Sequence, residues 1–294
     1  SKLKNPGTAL YSCLLNYEGN ILDDLITYKF NQNDFVLIIN ASQSQKDLNW
    51  FIDHKPNHVH IESKSNWSLI ALQGPQSRET LSRLYPKHRN QLATLKPFHF
   101  FSLEKLTIAC TGYTGEDGFE IMGETADLLA LWHNLQNVSV PAVGLGARDS
   151  LRLEAGLNLY GQDMDETTTP FESNLGWTVD FNDPTRNFIG KDALTKQKSL
   201  QIPRKLIGLL VQDAGVLRAH MAVELDQNPA LQGVVTSGSF SPILKSSIAF
   251  ARIPNVAFTQ CHVKIRNTWH PAQATTLPFV RLGKVLVQIN PLHS

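Results

Sequence analysis

The chain has 294 residues, 42% hydrophobic and 18% charged, with a formal net charge of +1. That length suits two or three domains with a sizeable core. The near-zero charge argues against a broad electrostatic footprint for nucleic acid or anionic membrane, and no apolar run approaches the roughly 18 residues that span a bilayer. Three cysteines, Cys13, Cys110 and Cys261, are odd in number and far apart, with no CxxC. They read as reduced structural thiols in a reducing compartment, which together with the missing secretory h-region points to a bacterial-type cytoplasmic protein. The chain opens at Ser1 rather than methionine, so removal of something upstream is expected.

In chain order, Tyr11 to Tyr17 and Ile21 to Phe30 read as two strands around the turn Glu18-Gly19-Asn20. Phe35 to Ile39 is a short apolar strand. Ser44 with Asp47 resembles a capping box, with Asp in place of Glu or Gln, and Leu48, Phe51 and Ile52 give one apolar helical face. Val59 to Glu62 and Trp67 to Gln73 are expected strands. Pro75 is placed to open a helix over Gln76 to Leu84. Phe98 to Cys110 is strand material, followed by a glycine-rich turn and Phe119 to Met122. Leu128, Leu131, Trp132 and Leu135 are spaced for a helix, and Arg148 to Ala155 for another. Composition shifts near Gln201 to Arg204. Short β-like runs follow at Lys205 to Val211, Met221 to Leu225, Gly233 to Thr236, Ile248 to Ile253, Val263 to Arg266 and Lys284 to Ile289. That spacing favours a small antiparallel barrel or sandwich after an α+β first part.

Most familiar motifs fail. Gly144-x-Gly146 lacks its third glycine, since position 149 is Asp149, and Gly190-Lys191 lacks the earlier glycine and the following Ser or Thr of a phosphate loop. Asp163-x-Asp165 has Thr168 where a calcium loop needs glycine. His58-x-His60 has no further ligand at metal spacing.

Two constellations survive. Asp23-Asp24 sits in an apolar strand, where successive side chains face opposite ways. One carboxylate then reaches water while the other points inward, which is costly unless it is paired or has a chemical task. A strand-edge acid pair is the plain alternative. The second is the turn Thr111-Gly-Tyr-Thr-Gly-Glu-Asp-Gly-Phe-Glu120, with Tyr113, Glu116, Asp117 and Glu120, together with Arg148. Arg148 and Arg152 lie one helical turn apart, spaced either to clamp an anion or to pair with Asp149 or Glu154 at the surface.

The turn 111–120, Gly144-Leu-Gly-Ala-Arg-Asp149, Leu151-Arg-Leu-Glu-Ala155, Leu159-Tyr-Gly161, Phe188-Ile-Gly-Lys191, Thr236-Ser-Gly-Ser-Phe-Ser-Pro242 and Pro278-Phe-Val-Arg281 all resemble the glycine cleavage system T protein. So do Ala9-Leu-Tyr-Ser12 and Ile21-Leu-Asp-Asp-Leu25, and the matches run in order over essentially the whole chain. The resemblance implies an α+β folate-binding region of several subdomains with mixed sheets over 1–200, followed by a C-terminal antiparallel β-barrel over 205–294. It implies transfer of a one-carbon unit from an aminomethyl-lipoyl H protein to tetrahydrofolate with release of ammonia. H protein and tetrahydrofolate are the implied partners, with no metal, nucleic acid or membrane. It places the catalytic carboxylate on Asp24 and folate contacts on Tyr11, Tyr28, Asn40, Tyr113, Glu120, Arg148 and Arg281. The family's usual N-terminal stretch before Ala9-Leu-Tyr-Ser12 is absent from this sequence, so a fragment or a shortened product is one expectation. The rival readings are a folate-binding relative that assists iron–sulfur cluster assembly, a folate-dependent demethylase, the folate domain of a sarcosine-type dehydrogenase, and a truncated product without transferase activity. The first rival would carry a cysteine motif where this chain reads Phe188 to Leu194, and the dehydrogenase would need its flavin segment on a separate chain.

Overall fold

The computed structural model describes residues 3–212 and 215–288. The chain divides into two compact units: one of Ser1–Ser12, Asp23–Gly112 and Glu116–Gly144, the other of Cys13–Leu22, Tyr113–Gly115 and Leu145–Ser294.

Three strands, β1 (Thr8–Leu15), β2 (Ile21–Lys29) and β3 (Phe35–Ile39), form a sheet in that order. β2 and β3 are an antiparallel pair whose register runs from Lys29 opposite Phe35 to Leu25 opposite Ile39. A single 3-10 turn, Ala41–Gln43, leads directly into α1 (Ser44–His54). The expected capping box does not form. Ser44 lies inside the helix, Gln43 precedes it, and no side chain caps the first turn. Asp47 is instead turned inward and fully buried.

The second sheet of this unit has order β4-β7-β6-β5, with β4 (Trp67–Gln73), β5 (Phe100–Leu103), β6 (Leu106–Ala109) and β7 (Gly118–Glu124), and its pairings are antiparallel. α2 (Ser77–Leu84), α3 (Arg89–Thr94) and α4 (Thr125–Asn137) accompany it. Leu81, Leu92, Leu128, Leu131 and Leu135 from these helices join Leu72, Leu103, Ile108, Phe119 and Ile121 from the strands in one core. The i, i+3, i+4 spacing of α4 is what brings its three leucines to one side; Trp132 stays partly exposed. The expected strand at Val59 to Glu62 is absent. Val59 is exposed and its N–H closes a turn onto the Pro56 carbonyl, so the segment has neither a neighbour strand nor an apolar face to bury.

In the second unit, α5 (Leu145–Glu154) and α6 (Lys191–Ser199) are followed by a seven-stranded sheet. Its members are β8 (Arg204–Val211), β9 (Ala222–Leu225), β10 (Asn228–Ser241), β11 (Ser246–Pro254), β12 (Cys261–Ile265), β13 (Thr268–Pro271) and β14 (Gln273–Thr275). Their order is β13-β12-β9-β10-β11-β8-β14. Side chains alternate across a strand. Accordingly Leu209, Val211, Ala249, Ala251 and Ile253 point to one interior, joined by Val223, Leu225, Val235, Val263 and Cys261 from the other half of the sheet. Convergence of strands from both halves on one core is the mark of a barrel-like sheet. The opposite faces of β8 and β11, through Leu206, Leu210, Ile248 and Phe250, pack with Leu153, Phe279 and Val280. Both faces of β11 are therefore covered, which explains its unbroken buried run. β10 shifts register between Val235 and Ser237, the kind of bulge that bends and twists a strand. Two short strands, β15 (Val280–Arg281) and β16 (Lys284–Val285), pair with each other. The strand expected over Lys284 to Ile289 thus ends at Val285, and Ile289 lies outside the described residues.

Leu209 is fully buried in the barrel core. Leu209→Ala is expected to cost about 2–5 kcal/mol by cavity formation, read as a fall in the urea midpoint at unchanged slope.

Candidate functional site

The surviving acid pair falls where the β2–β3 ladder ends. Continuing the register of Leu25 opposite Ile39 by one step sets Asp24 across from Asn40. The Asn40 amide donates to both acids, to Asp24 Oδ1 at 2.8 Å and Asp23 Oδ1 at 2.7 Å, and its backbone N–H lies 3.4 Å from Asp23 Oδ2. Asp23 is fully buried, whereas Asp24 is partly exposed. The alternation expected of a strand holds in burial, yet both carboxylates reach one amide because regular pairing stops at Leu25. Burial raises the pKa of Asp24, hydrogen bonds from Tyr11 and Asn40 pull it back, and the charge of Asp23 pushes it up again. Tyr11, Asp24 and Asn40 are thus brought together, with Asp23 behind them.

Tyr28, four residues along β2 from Asp24, is fully buried and packs edge-on against Phe100 with centroids 5.4 Å apart. The Thr111 hydroxyl donates to Glu120 Oε2 at 2.6 Å. A hydroxyl has one proton, so the Tyr28–Thr111 contact at 3.1 Å makes Tyr28 the donor. Tyr28, Thr111 and Glu120 form a directed chain that ends on a carboxylate. Burial, and then the charge of Glu120, raises the Tyr28 pKa, so it stays a neutral donor.

The glycine-rich turn is fixed from within each unit. In the first, Gln73 Nε2 donates to the carbonyls of Thr111 and Phe119, each at 3.1 Å. A Cβ on Gly112 would lie 2.1 Å from Gln73 Oε1, so any larger residue there would push the Gln73 amide off these carbonyls. Asp117, one of the acids singled out in the turn, receives two bonds from Arg78, at 2.6 and 2.8 Å. This fork-to-carboxylate pair makes Asp117 a structural anchor. Arg78 also donates to the Leu92 carbonyl at 2.6 Å.

In the second unit the Arg148 guanidinium lies over the Tyr113 ring, 4.9 Å from its centroid, and the Tyr113 hydroxyl donates to the Asn158 carbonyl. Arg148 and Arg281 are exposed, the latter in the β15–β16 pair. The Arg148–Arg152 anion clamp does not form. Arg152 is buried and engaged by Asp149 at 2.8 Å, Asp163 at 2.7 Å and Ser237 at 2.9 Å. Asp163, considered above as the start of a calcium loop, is completed by Thr236 at 2.5 Å and the Leu159 N–H at 2.9 Å.

Cys13, Cys110 and Cys261 are reduced thiols. Burial raises the Cys110 pKa and pushes Cys261 up to about 12, so both stay protonated and unreactive at neutral pH. Among the described residues, no group of three or more His, Cys, Asp or Glu side chains could hold a metal ion, and no helix is long and apolar enough to cross a membrane. Sequence reasoning did not single out Arg78 or Thr111, and it gave Asp47 only a capping role. Thr111 was part of the quoted turn, but nothing local marks it as a link between Tyr28 and Glu120.

Comparisons with known proteins agree with this architecture. Residues 1–183 match the GCVT N-terminal domain and residues 204–281 the glycine cleavage T-protein C-terminal barrel domain. The aminomethyltransferase of Burkholderia ambifaria is 45% identical over 300 residues, covering 97% of this chain and 79% of that protein. That of Paraburkholderia phymatum is 45% identical over 301 residues, with the same coverage. The crystal structure of the glycine cleavage system aminomethyltransferase T from Bartonella henselae superposes with a TM-score of 0.84 at 32% identity, covering 96% of this chain and 78% of that one. An α+β region followed by a curled antiparallel sheet, matched by both family domains and by transferase relatives, places the chain among group-transfer enzymes of this architecture. The chain belongs to the glycine cleavage T-protein family, the aminomethyltransferases.

Gly115 has a φ of +73°, and a Cβ there would lie 2.5 Å from Ala155 Cβ. Gly146, in the first turn of α5, has open space around it. Gly115→Ala is expected to destabilise by at least about 1–2 kcal/mol. Gly146→Ala is expected to be neutral or stabilising by up to about 1 kcal/mol. Paired thermal melts check both.

Proposed function

We propose that the chain passes the one-carbon unit of an S-aminomethyl-lipoyl group, carried by an H protein, to tetrahydrofolate, and that Asp24 is the catalytic carboxylate. The observation that carries the reading is the setting of Asp24: a partly buried acid held by Tyr11 and Asn40 beside a second, buried acid. In the transfer, folate N5 bonds to the carbon, the lipoyl sulfur departs as a thiol with the proton that N5 sheds, and N10 closes the bridge as it loses its own proton. The first step, loss of ammonia from the protonated S-aminomethyl group, leaves a sulfur-stabilised cationic carbon. A carboxylate fixed where water is scarce stabilises that charge more than water does, and it needs no reorganisation as the charge develops. The same oxygen is an acceptor for the folate N10–H, which sets N5 for attack on the carbon.

Glu120 is an acceptor for the amino and ring N–H groups of a pterin. Its orientation is set by Thr111, and behind it by Tyr28. We assign Tyr28 the task of holding Glu120, because its ring is fully buried and its hydroxyl donates to Thr111. Tyr11 and Asn40 are proposed folate neighbours that also fix Asp24. Tyr113, Arg148 and Arg281 are proposed as folate contacts from residue type and position in the family's motifs. Arginine suits carbonyl and carboxylate oxygens, and the stacked Arg148–Tyr113 pair offers a flat cationic face.

The relatives found carry the name aminomethyltransferase, and the place where a cluster-assembly relative would carry its cysteine reads Phe188 to Leu194 without one. Both favour the enzyme over a folate-binding protein without transferase activity.

Asp24→Asn is expected to lower tetrahydrofolate-dependent ammonia release from aminomethylated H protein by at least about 100-fold, with folate affinity largely kept. Turnover at the wild-type level in that variant removes Asp24 from the chemistry.

A further inference from the structure

Asp47, in the first turns of α1, is fully buried, yet among the described residues no donor reaches either of its carboxylate oxygens. Its carboxyl lies within hydrogen-bonding reach of the carboxyl of Asp23, which is itself fully buried. Two carboxylates in contact cannot both be anions away from water; one proton between them turns repulsion into a strong O–H···O⁻ bond.

We propose that Asp47 is a protonated positioning acid: it donates its proton to Asp23, and Asp23, so fixed, holds the Asn40 amide against Asp24. The relay is short and each link is seen. Asp47 meets Asp23, Asp23 Oδ1 accepts from Asn40 Nδ2 at 2.7 Å, and the same nitrogen donates to Asp24 Oδ1 at 2.8 Å. Asn40 has two amide protons, one for each carboxylate. Without the proton on Asp47, three carboxylates would share this corner and the amide would be the one side-chain donor between two of them. With it, the Asp23–Asp47 pair carries a single negative charge. The inference rests on the catalytic reading of Asp24 for its effect on turnover, but not for the existence of the shared proton.

The charged groups acting on Asp47 are Asp23 and Asp24 on β2 and Lys46 on its own helix, and Tyr11 of β1 reaches the pair through Asp24. Burial, and then the contact with Asp23, raises the Asp47 pKa from the ordinary 3.8 to about 8, against a smaller opposing pull from Lys46. Between these values the folded chain keeps a proton that the unfolded chain has lost, so stability falls as pH rises through the window. The contribution is whole below about pH 4 and gone above about pH 8. Asp24, also raised, acts in the same direction.

The test compares the wild type with Asp47→Asn and Asp47→Leu. Asparagine presents an N–H where the acid presents its O–H, so it mimics the protonated form at every pH. Three readouts are expected. In carboxyl carbon NMR titration, one aspartate of the wild type titrates near pH 8, and that step is missing in Asp47→Asn. The urea midpoint of the wild type falls between pH 5 and 8.5, and that of Asp47→Asn falls less than half as far. In turnover, Asp47→Asn stays within about threefold of wild type at pH 7 and loses the alkaline decline near pH 8, whereas Asp47→Leu loses about tenfold or more in kcat with folate KM little changed. No aspartate titrating above pH 7 in the wild type overturns the proposal. So does an unchanged alkaline decline in Asp47→Asn, or wild-type kcat and pH profile in a folded Asp47→Leu. If Asp47→Leu does not fold, the titration and Asp47→Asn decide. A wild type with no folate-dependent ammonia release overturns the proposed function and the catalytic half of this inference, while the carboxyl titration alone decides whether the proton is there.

Discussion

The site depends on holding two adjacent carboxylates together in space while giving each a hydrogen-bond donor. Asp23 and Asp24 are neighbours on one strand, one fully buried and one partly so. Each needs donors, since an ionised carboxylate away from water is unstable without them. The Asn40 amide answers for both at 2.7 and 2.8 Å. That amide is in place because β2 and β3 pair in a register that carries residue 40 up to residue 24 and then stops. A slip of one residue would send Asn40 to the other face of the sheet. The register of a five-residue strand thus sets the protonation and direction of the acid proposed to do the chemistry.

The second unit meets the same problem of buried charge with a different solution. Arg152, fully buried, is matched by Asp163 and Asp149 and by Ser237, and Asp163 is completed by Thr236 and a backbone N–H. Arg252 adds bonds to the Asp163 carbonyl at 2.6 Å and to Ser173 at 3.1 Å. The network ties α5 to β10 and β11, which the apolar contacts of Leu153 with Ile248 and Phe250 do as well. Removing one partner of such a set leaves a charge stranded, so its loss is costly even where the set adds little net stability.

Much of this was legible in the sequence, and the misreadings of buried polar groups share one cause. The strands Phe35 to Ile39 and Trp67 to Gln73 matched residue for residue, because short apolar runs bounded by turn residues are local signals. The helix of Leu128, Leu131 and Leu135 was visible in its period. The capping box at Ser44 and Asp47 was a local reading of a residue whose partner lies on another strand. Asp47 buries itself against Asp23, and no spacing within 44–54 announces that. Of the two readings for Arg148 and Arg152, the pairing with Asp149 holds at 2.8 Å, whereas the clamp fails because Asp163, eleven residues on, and Ser237, on β10, also claim Arg152 and bury it. Local patterns fix elements; buried polar groups are settled by whichever distant partner satisfies them. For the site, Tyr11, Asn40 and Asp24 come together as a set, while the Tyr28–Thr111–Glu120 chain needs three segments of fold before it exists.

The two buried clusters also differ in what pH does to them. A guanidinium holds its charge across the whole working range, and Arg152 is pushed further up by Asp163 against the downward pull of burial. The ion-paired network of the second unit therefore has no proton to lose near neutrality. The acid cluster of the first unit has one, on Asp47, poised to leave near pH 8. A buried lysine or arginine in place of Asp47 would have neutralised Asp23 permanently, but it would also have set a fixed positive charge close to Asp24. That charge would compete with the cationic carbon for the same carboxylate and weaken the stabilisation the transition state needs. A neutral hydrogen-bond donor fixes Asp23 without that competition. On this reasoning the buried acid is the better neighbour for a catalytic carboxylate, at the cost of sensitivity to alkali.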